Sequence, residues 1–142
     1  NAMWQFAKKA AEKINLDPAV MVAQAALETG WGKHIINQPS GSSSNNLFNI
    51  KVGHCWQGNS VKKSTLEFED GVAVKKNAAF RAYETIEDSF NDFTNFLSSG
   101  ERYKDTLSKS SDPERFLHSL QCNLHRDTTY WPTNLTNANY LE

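Results

Sequence analysis

Apolar side chains recur at helical spacing in four segments of the chain, and this pattern predicts four helices. The predicted helices cover residues 4–14, 19–27, 85–97 and 113–120. The Asp-Pro pairs at 17–18 and 112–113 each offer an N-cap followed by proline at the first helical position. Thr85 with Asp88 resembles a capping box at the start of the third helix.

The second predicted helix is apolar nearly all round, interrupted by Gln24 and stopped at Gly30, which predicts burial on most of its faces. Glu28 lies in its last turn, on the face that carries Met21 and Ala25. Burial and the negative end of the helix dipole both disfavour an ionised carboxylate, so the pKa of this carboxyl is expected to be raised. A protonated carboxyl suits general acid catalysis. A partly exposed glutamate that caps the glycine turn is an equally good interpretation of the position alone.

A hairpin is predicted in the middle of the chain. Residues 39–46, with the sequence PSGSSSNN, have no hydrophobic period and predict an exposed, mobile loop. Further along, two β-leaning runs at 61–69 and 72–80 flank Asp70-Gly71, which is a strong signal for a hairpin turn. The chain is therefore expected to be mainly helical with one inserted hairpin.

The hairpin also supplies a candidate second carboxylate. Strand alternation places Glu67 and Glu69 on one face of the sheet and Leu66 and Phe68 on the other. Cleavage of a glycosidic bond commonly uses two carboxyl groups, one of which protonates the leaving oxygen. For Glu69 and the neighbouring Asp70 a solvated hairpin face is the preferred interpretation.

Aromatic residues are spread over elements that could converge on a groove, although most aromatic side chains in a small domain belong to its core. They are Trp31, Phe48, Trp56, Phe80, Tyr83 and Tyr103. Of these, Trp56 and Tyr83 are the candidate sugar-binding residues.

Composition narrows the choice of function. A net charge of −1 gives no electrostatic case for nucleic acid or an anionic membrane surface as a partner, and no apolar run approaches the length of a membrane span. Cys55 and Cys122 are more simply interpreted as unpaired than as a bridge. The sequence contains no compact set of metal ligands and no phosphate-binding glycine loop, so no metal or cofactor is predicted. Residues 1–3 resemble an expression-tag scar, and residues 4–142 are expected to form one domain.

Six motifs occur in the order AQAALETGWGK, NLFNIK, WQG, TLEFEDG, FRAYETIEDSFNDF and RY. Together they resemble the bacterial peptidoglycan N-acetylglucosaminidases of glycoside hydrolase family 73, including flagellar members, over residues 6–121. The resemblance implies an α+β, mainly helical, lysozyme-like fold with a helical lobe, a small hairpin lobe and a groove between them. It also implies cleavage of the β-1,4 bond after N-acetylglucosamine, with Glu28 as general acid and Glu67 as the second carboxylate.

The same resemblance implies a setting for the reaction. The substrate would be the glycan strands of peptidoglycan in the periplasm, where the enzyme opens the wall locally for the flagellar rod. Flagellar rod proteins could be bound through a domain outside this sequence.

The tail departs from the family pattern. The family continues after LQ with a motif like AGYATDPxYA, whose first tyrosine lines the active site, whereas residues 122–142 read CNLHRDTTYWPTNLTNANYLE. His125 stands where that tyrosine is expected and is therefore a candidate substrate-binding residue. Divergence, a frameshift, or a tail that packs differently and supplies Tyr130 would each explain the difference. A wall-binding module with weak or absent turnover is the alternative function.

Overall fold

The computed structural model describes residues 2–127 and 129–131, and within them it contains five helices and one two-stranded antiparallel sheet. The elements in chain order are α1 (Ala2–Glu12), α2 (Pro18–Thr29), β1 (Ser60–Glu69), β2 (Val72–Arg81), α3 (Ile86–Ser98), α4 (Lys104–Leu107) and α5 (Pro113–Arg126). The predicted α+β, mainly helical class with one hairpin is confirmed. The predicted tail from 132 onward lies outside the described residues.

Local capping chemistry starts three of the helices as predicted. Asp17 accepts a hydrogen bond from the amide of Ala19 at 2.9 Å. The Thr85 hydroxyl accepts from the amide of Asp88 at 3.1 Å. Asp112 caps α5 in the same way. Each cap satisfies an amide that the first helical turn leaves without a partner.

Helix α5 continues past its predicted end at Leu120 and stops at Arg126. The reason is that Phe116, Leu120 and Leu124 follow one another at intervals of four, and all three are buried. The helical pattern therefore extends into the segment where the family resemblance ends.

The main core lies among α1, α2, α3 and α5, around the ring of Phe48. That ring stacks on Phe93 at a centroid separation of 4.0 Å. Trp131 is fully buried in the same cluster and donates its indole N–H to the carbonyl of Phe48 at 2.8 Å. Part of the divergent tail thus belongs to the core of the fold.

Two burial predictions are wrong. The outer face of α2 is open, with Leu27 38% exposed, whereas Gln24, the polar residue that interrupts the apolar pattern, is only 1% exposed. The second half of the polar loop is also buried, because Ser44 and Asn46 are completely enclosed. The amide of Asn46 donates to the carbonyl of Arg81 at 2.9 Å, so a polar residue is satisfied inside the fold.

The hairpin has the predicted turn, and each strand lies within one residue of its predicted bounds. Ser60 pairs with Arg81 at its base and Glu69 with Val72 at its tip. Asp70 and Gly71 both have positive φ, 50° and 81°, as a type I′ turn requires. The base is anchored because Val61 and Phe80 pack against Ile36, and this anchoring fixes the strand that carries Glu67.

Candidate active site

Glu28 is held in a buried position at the end of α2. Its residue is 4% exposed, and it shares a face with the buried Met21 and Ala25, as the spacing predicts. Gly30 ends the helix in the left-handed conformation and donates to the carbonyl of Ala26. The burial contradicts the alternative of a partly exposed capping glutamate.

Glu67 is the anionic half of a buried ion pair. The ammonium nitrogen of Lys51 lies 2.5 Å from Oε1 of Glu67, and the two residues are 9% and 7% exposed. The hydroxyl of Thr65 donates to the other carboxylate oxygen at 3.0 Å. Both oxygens therefore have a donor, which fixes the orientation of the carboxylate.

A cavity of about 420 Å³, here called the Glu67 cavity, opens beside this pair. Its lining includes Lys51, Gly53, Glu67, Glu69, Lys76 and Thr129. Glu69 is exposed and pairs with Lys76, whose pKa is raised by this hydrogen bond and the adjacent negative charge. Glu69 therefore fits the preferred interpretation of a solvated hairpin carboxylate, in contrast to Glu67.

One short segment connects the two candidate carboxyl residues. The side-chain amide of Asn49 donates to the backbone carbonyl of Glu28 at 2.6 Å, and Lys51, two residues later, binds Glu67. Asn49 has a positive φ of 54°, an uncommon conformation that asparagine tolerates better than most residues. Sequence reasoning missed the role of this segment, although its signal was a lysine directly after the apolar patch LFNI.

Arg81 is a buried cation that hydrogen-bonds to the backbone of this segment. Its Nε donates to the carbonyl of Lys51 at 3.1 Å, and its Nη1 donates to Asp92 at 2.8 Å. The guanidinium carbon also lies 4.7 Å from the centre of the Trp56 ring, within the range of a cation–π contact. The position of Lys51 is therefore fixed both by its own ion pair and through its backbone.

The structure brings Trp56 and Tyr83 together, with ring centroids 5.5 Å apart in an edge-to-face arrangement. Tyr83, however, is 6% exposed, and its hydroxyl donates to Asp92 at 2.5 Å. Burial, and then the negative charge of Asp92, raise the pKa of this phenol, so it stays protonated. Tyr83 consequently offers no open ring face, and its prediction as a sugar-binding residue is not supported by this placement.

Trp56 is half-buried, and its N–H donates to the carbonyl of Asn59 at 2.8 Å. A Cβ at Gly58 would lie 2.5 Å from the Trp56 ring, so only glycine fits there. This close approach explains the WQG motif, because the glycine leaves the space that the fixed tryptophan ring occupies.

The structure places His125 on the exposed side of α5, and it lines neither the Glu67 cavity nor the cavity described next. Tyr130 instead packs on Gly53, where a Cβ would lie 1.9 Å from the tyrosine ring. The carbonyl of Tyr130 accepts from the amide of Lys51 at 2.7 Å. This arrangement corresponds to the alternative in which the tail packs differently and supplies Tyr130.

A second cavity of about 620 Å³, here called the Arg102 cavity, adjoins the first. It lies among α3, the 99–103 loop and the tail, and its lining includes Asp92, Phe96, Glu101, Arg102, Asp127 and Tyr130. Thr129 lines both cavities, while Gly53 lines one and its neighbour His54 lines the other. The two cavities are therefore neighbours along the same stretch of chain.

Among the described residues there is no group of three or more histidine, cysteine or acidic side chains that could hold a metal ion. Cys55 and Cys122 are both free thiols. In the same part of the chain, no helix has the length and apolar character needed to cross a membrane.

Comparison with known proteins gives consistent matches. Residues 4–140 match the family model described as Mannosyl-glycoprotein endo-beta-N-acetylglucosaminidase. The chain is 52% identical over 119 residues to the peptidoglycan hydrolase FlgJ of Pseudomonas aeruginosa, covering 84% of this chain and 30% of that protein. It is 45% identical over 131 residues to FlgJ of Vibrio parahaemolyticus, covering 92% of this chain and 42% of that protein. The chain thus spans less than half the length of these relatives.

Solved structures agree with this result. A peptidoglycan hydrolase mutant from Sphingomonas sp. A1 matches with a TM-score of 0.83 and 37% identity, covering 99% of this chain and 86% of that one. A C-terminally truncated glycoside hydrolase domain of Salmonella typhimurium FlgJ matches with a TM-score of 0.67 and 31% identity, covering 83% of both chains.

Proposed function

The chain belongs to the endo-β-N-acetylglucosaminidase family, and we propose that it cleaves the β-1,4 bond after N-acetylglucosamine in peptidoglycan. The family description names mannosyl-glycoproteins, whereas the curated relatives with 52% and 45% identity are named peptidoglycan hydrolases. The identity of 52% and 45% to those relatives favours peptidoglycan as the substrate.

The observation that carries the proposal is the difference between the surroundings of the two carboxyl groups. Glu28 is buried on an apolar helix face at the negative end of α2, an environment that favours the protonated form of a carboxyl. Glu67 is instead paired with the ammonium of Lys51 at 2.5 Å. Two carboxyl groups in contrasting environments are what acid-assisted glycoside cleavage requires.

In the proposed reaction Glu28 donates its proton to the leaving glycosidic oxygen. Positive charge develops on the sugar at the same time, and the Glu67 carboxylate stabilises it directly or through the attacking water. Lys51 and Thr65 keep that carboxylate in a fixed orientation, so little reorganisation is needed when the charge develops. Asn49 and Lys51 couple the ends of α2 and β1 through one short segment.

The setting follows from the proposed substrate. We propose that the protein acts outside the cytoplasm, in the periplasm, and opens the wall locally for assembly of the flagellar rod. Similarity to the FlgJ proteins supports the flagellar part, and contacts with rod proteins would be made by a part of the protein outside this sequence.

The test is the chemical identity of the new chain ends. Purified peptidoglycan is incubated with the protein, and the soluble products are reduced with borohydride before acid hydrolysis. Reduced glucosamine at the new ends supports the proposal, and reduced muramic acid would show cleavage of the other glycosidic bond. Protein that pellets with the wall and releases no reducing ends would support a wall-binding module, the function that the missing family tyrosine at 125 favours.

A further inference from the structure

The Arg102 cavity adjoins the Glu67 cavity, yet no step of the proposed hydrolysis uses it. At about 620 Å³ it is larger than the Glu67 cavity, at about 420 Å³. Thr129 lines both, so a ligand chain could pass from one into the other without leaving the protein surface.

The inner wall of this cavity carries buried charged groups that already have partners within the protein. Arg81 and Asp92 form an ion pair at 2.8 Å. Asp127 is 5% exposed and accepts a hydrogen bond from the Tyr103 hydroxyl at 2.8 Å. These buried groups shape the wall and have little charge left to offer a ligand.

The rim and the apolar lining of the cavity differ from this inner wall, because the rim carries exposed charges and the lining carries aromatic rings. The Arg102 side chain is 49% exposed, and its long ion pair with Asp127, with 3.8 Å between Nε and the carboxylate oxygen, leaves half of the side chain open to solvent. Glu101, the residue directly before Arg102, carries an exposed carboxylate. Between rim and wall, the rings of Phe96 and Tyr130 meet edge to face at 4.8 Å. The cavity therefore combines a cation, an anion and an aromatic surface.

We propose that the Arg102 cavity binds the peptide stem of peptidoglycan, a ligand assignment that rests on the proposed hydrolase function. The stems are short peptides with carboxylates, an amino group on a diamino acid, and alanine methyl groups. Arg102 pairs with a stem carboxylate, Glu101 faces the amino group, and the methyl groups contact Phe96 and Tyr130. Sugar rings offer hydroxyl and acetamido groups that can hydrogen-bond to the rim, but they carry no amino group that could form an ion pair with Glu101. This difference in chemistry favours a peptide over further sugar rings as the occupant.

The experiment compares two substrates made from one wall preparation. Half of the preparation keeps its peptide stems, and the other half is stripped with an amidase, which leaves a glycan that carries only the lactyl carboxylate of each muramic acid. Arg102→Glu reverses the rim charge, and Arg102→Gln removes it while keeping a polar side chain. The control Lys8→Glu makes the same charge reversal at an exposed position of α1. The Arg102 variants are expected to lose about tenfold more kcat/KM on the intact wall than on the stripped glycan, mainly through KM. Lys8→Glu should match the wild type on both substrates.

A binding measurement separates this inference from the proposed hydrolysis. A soluble stem tetrapeptide is titrated into the wild type and Arg102→Gln, with binding followed by NMR shifts at Arg102 and Phe96. Saturable binding that Arg102→Gln weakens supports the assignment, even if the wild type cleaves neither wall preparation and the hydrolase proposal fails. Equal losses on both substrates, or no peptide binding by the wild type, would overturn it.

Discussion

The ammonium of Lys51 and the carboxylate of Glu67 lie 2.5 Å apart, in a contact that joins the last residue of the NLFNIK motif to strand β1. Both side chains are close to nine-tenths buried. Arg81 binds the backbone carbonyl of Lys51, and Tyr130 accepts from its amide, so the lysine is held on three sides. The candidate carboxylate on the hairpin is thereby tied to the helical part of the molecule.

Replacing Lys51 with methionine is expected to lower both stability and wall hydrolysis. Loss of one partner leaves the other charge buried without compensation, which typically costs about 3–5 kcal/mol. Urea unfolding of Lys51→Met measures the stability loss. The double variant Lys51→Met/Glu67→Gln should recover much of the stability without recovering activity. If the double variant is no more stable than Lys51→Met, the ion pair is not the source of the loss.

Gln24 is expected to be a residue whose replacement raises stability. It lies one turn before Glu28, is 1% exposed, and its amide atoms have no hydrogen-bond partner among the described residues. A buried amide without partners costs about 1–3 kcal/mol, so Gln24→Met, of similar shape, should increase the free energy of unfolding by about 1 kcal/mol. If the amide serves the substrate, hydrolysis should fall in the same variant. A lower melting temperature for Gln24→Met would contradict this explanation.

Gly53→Ala should be strongly destabilising, because a Cβ there would lie 1.9 Å from the Tyr130 ring and the residue has a φ of 65°. The matched control is Gly41→Ala, at a φ of 91° but with nothing within 4 Å. The control should lose about 1–2 kcal/mol from backbone strain alone, and Gly53→Ala should lose clearly more. Equal losses in thermal unfolding would mean that Tyr130 does not pack on Gly53.

His125→Tyr should leave hydrolysis unchanged across pH, since His125 is exposed on α5 and lines neither cavity. Tyr130→Ala should lower hydrolysis, because it removes the ring that packs on Gly53 beside the Glu67 cavity. The comparison uses turnover of both variants on one peptidoglycan preparation. A gain of activity for His125→Tyr would show that His125 does reach the substrate.

The features that the sequence predicts correctly are those encoded by a pattern of neighbouring residues. The Asp17 cap, the Asp70-Gly71 turn and the placement of Glu28 on the face of Met21 and Ala25 all depend on local spacing. Their outcomes follow from backbone geometry and periodicity, which the sequence displays directly.

The features that it misses depend on partners far away in the chain. Asn46 is buried because it binds the carbonyl of Arg81, 35 residues away. Tyr83 is buried and donates its hydroxyl to Asp92, and Trp131 is fixed in the core by donating to the carbonyl of Phe48, 83 residues away. Such contacts depend on tertiary packing, so a local sequence pattern does not predict them.

The most direct test of the two-carboxyl site compares release of reducing ends from purified peptidoglycan by the wild type, Glu28→Gln, Glu67→Gln and Glu69→Gln. Glu28→Gln keeps the size of the side chain but removes the proton donor, so its rate should fall by about 10²–10⁴-fold while its unfolding curve stays close to that of the wild type. Glu67→Gln should fall less, and Glu69→Gln, which alters an exposed pair in the same cavity, should stay near the wild-type rate. A folded Glu28→Gln protein that releases reducing ends at near the wild-type rate would contradict the central claim, that Glu28 is the general acid.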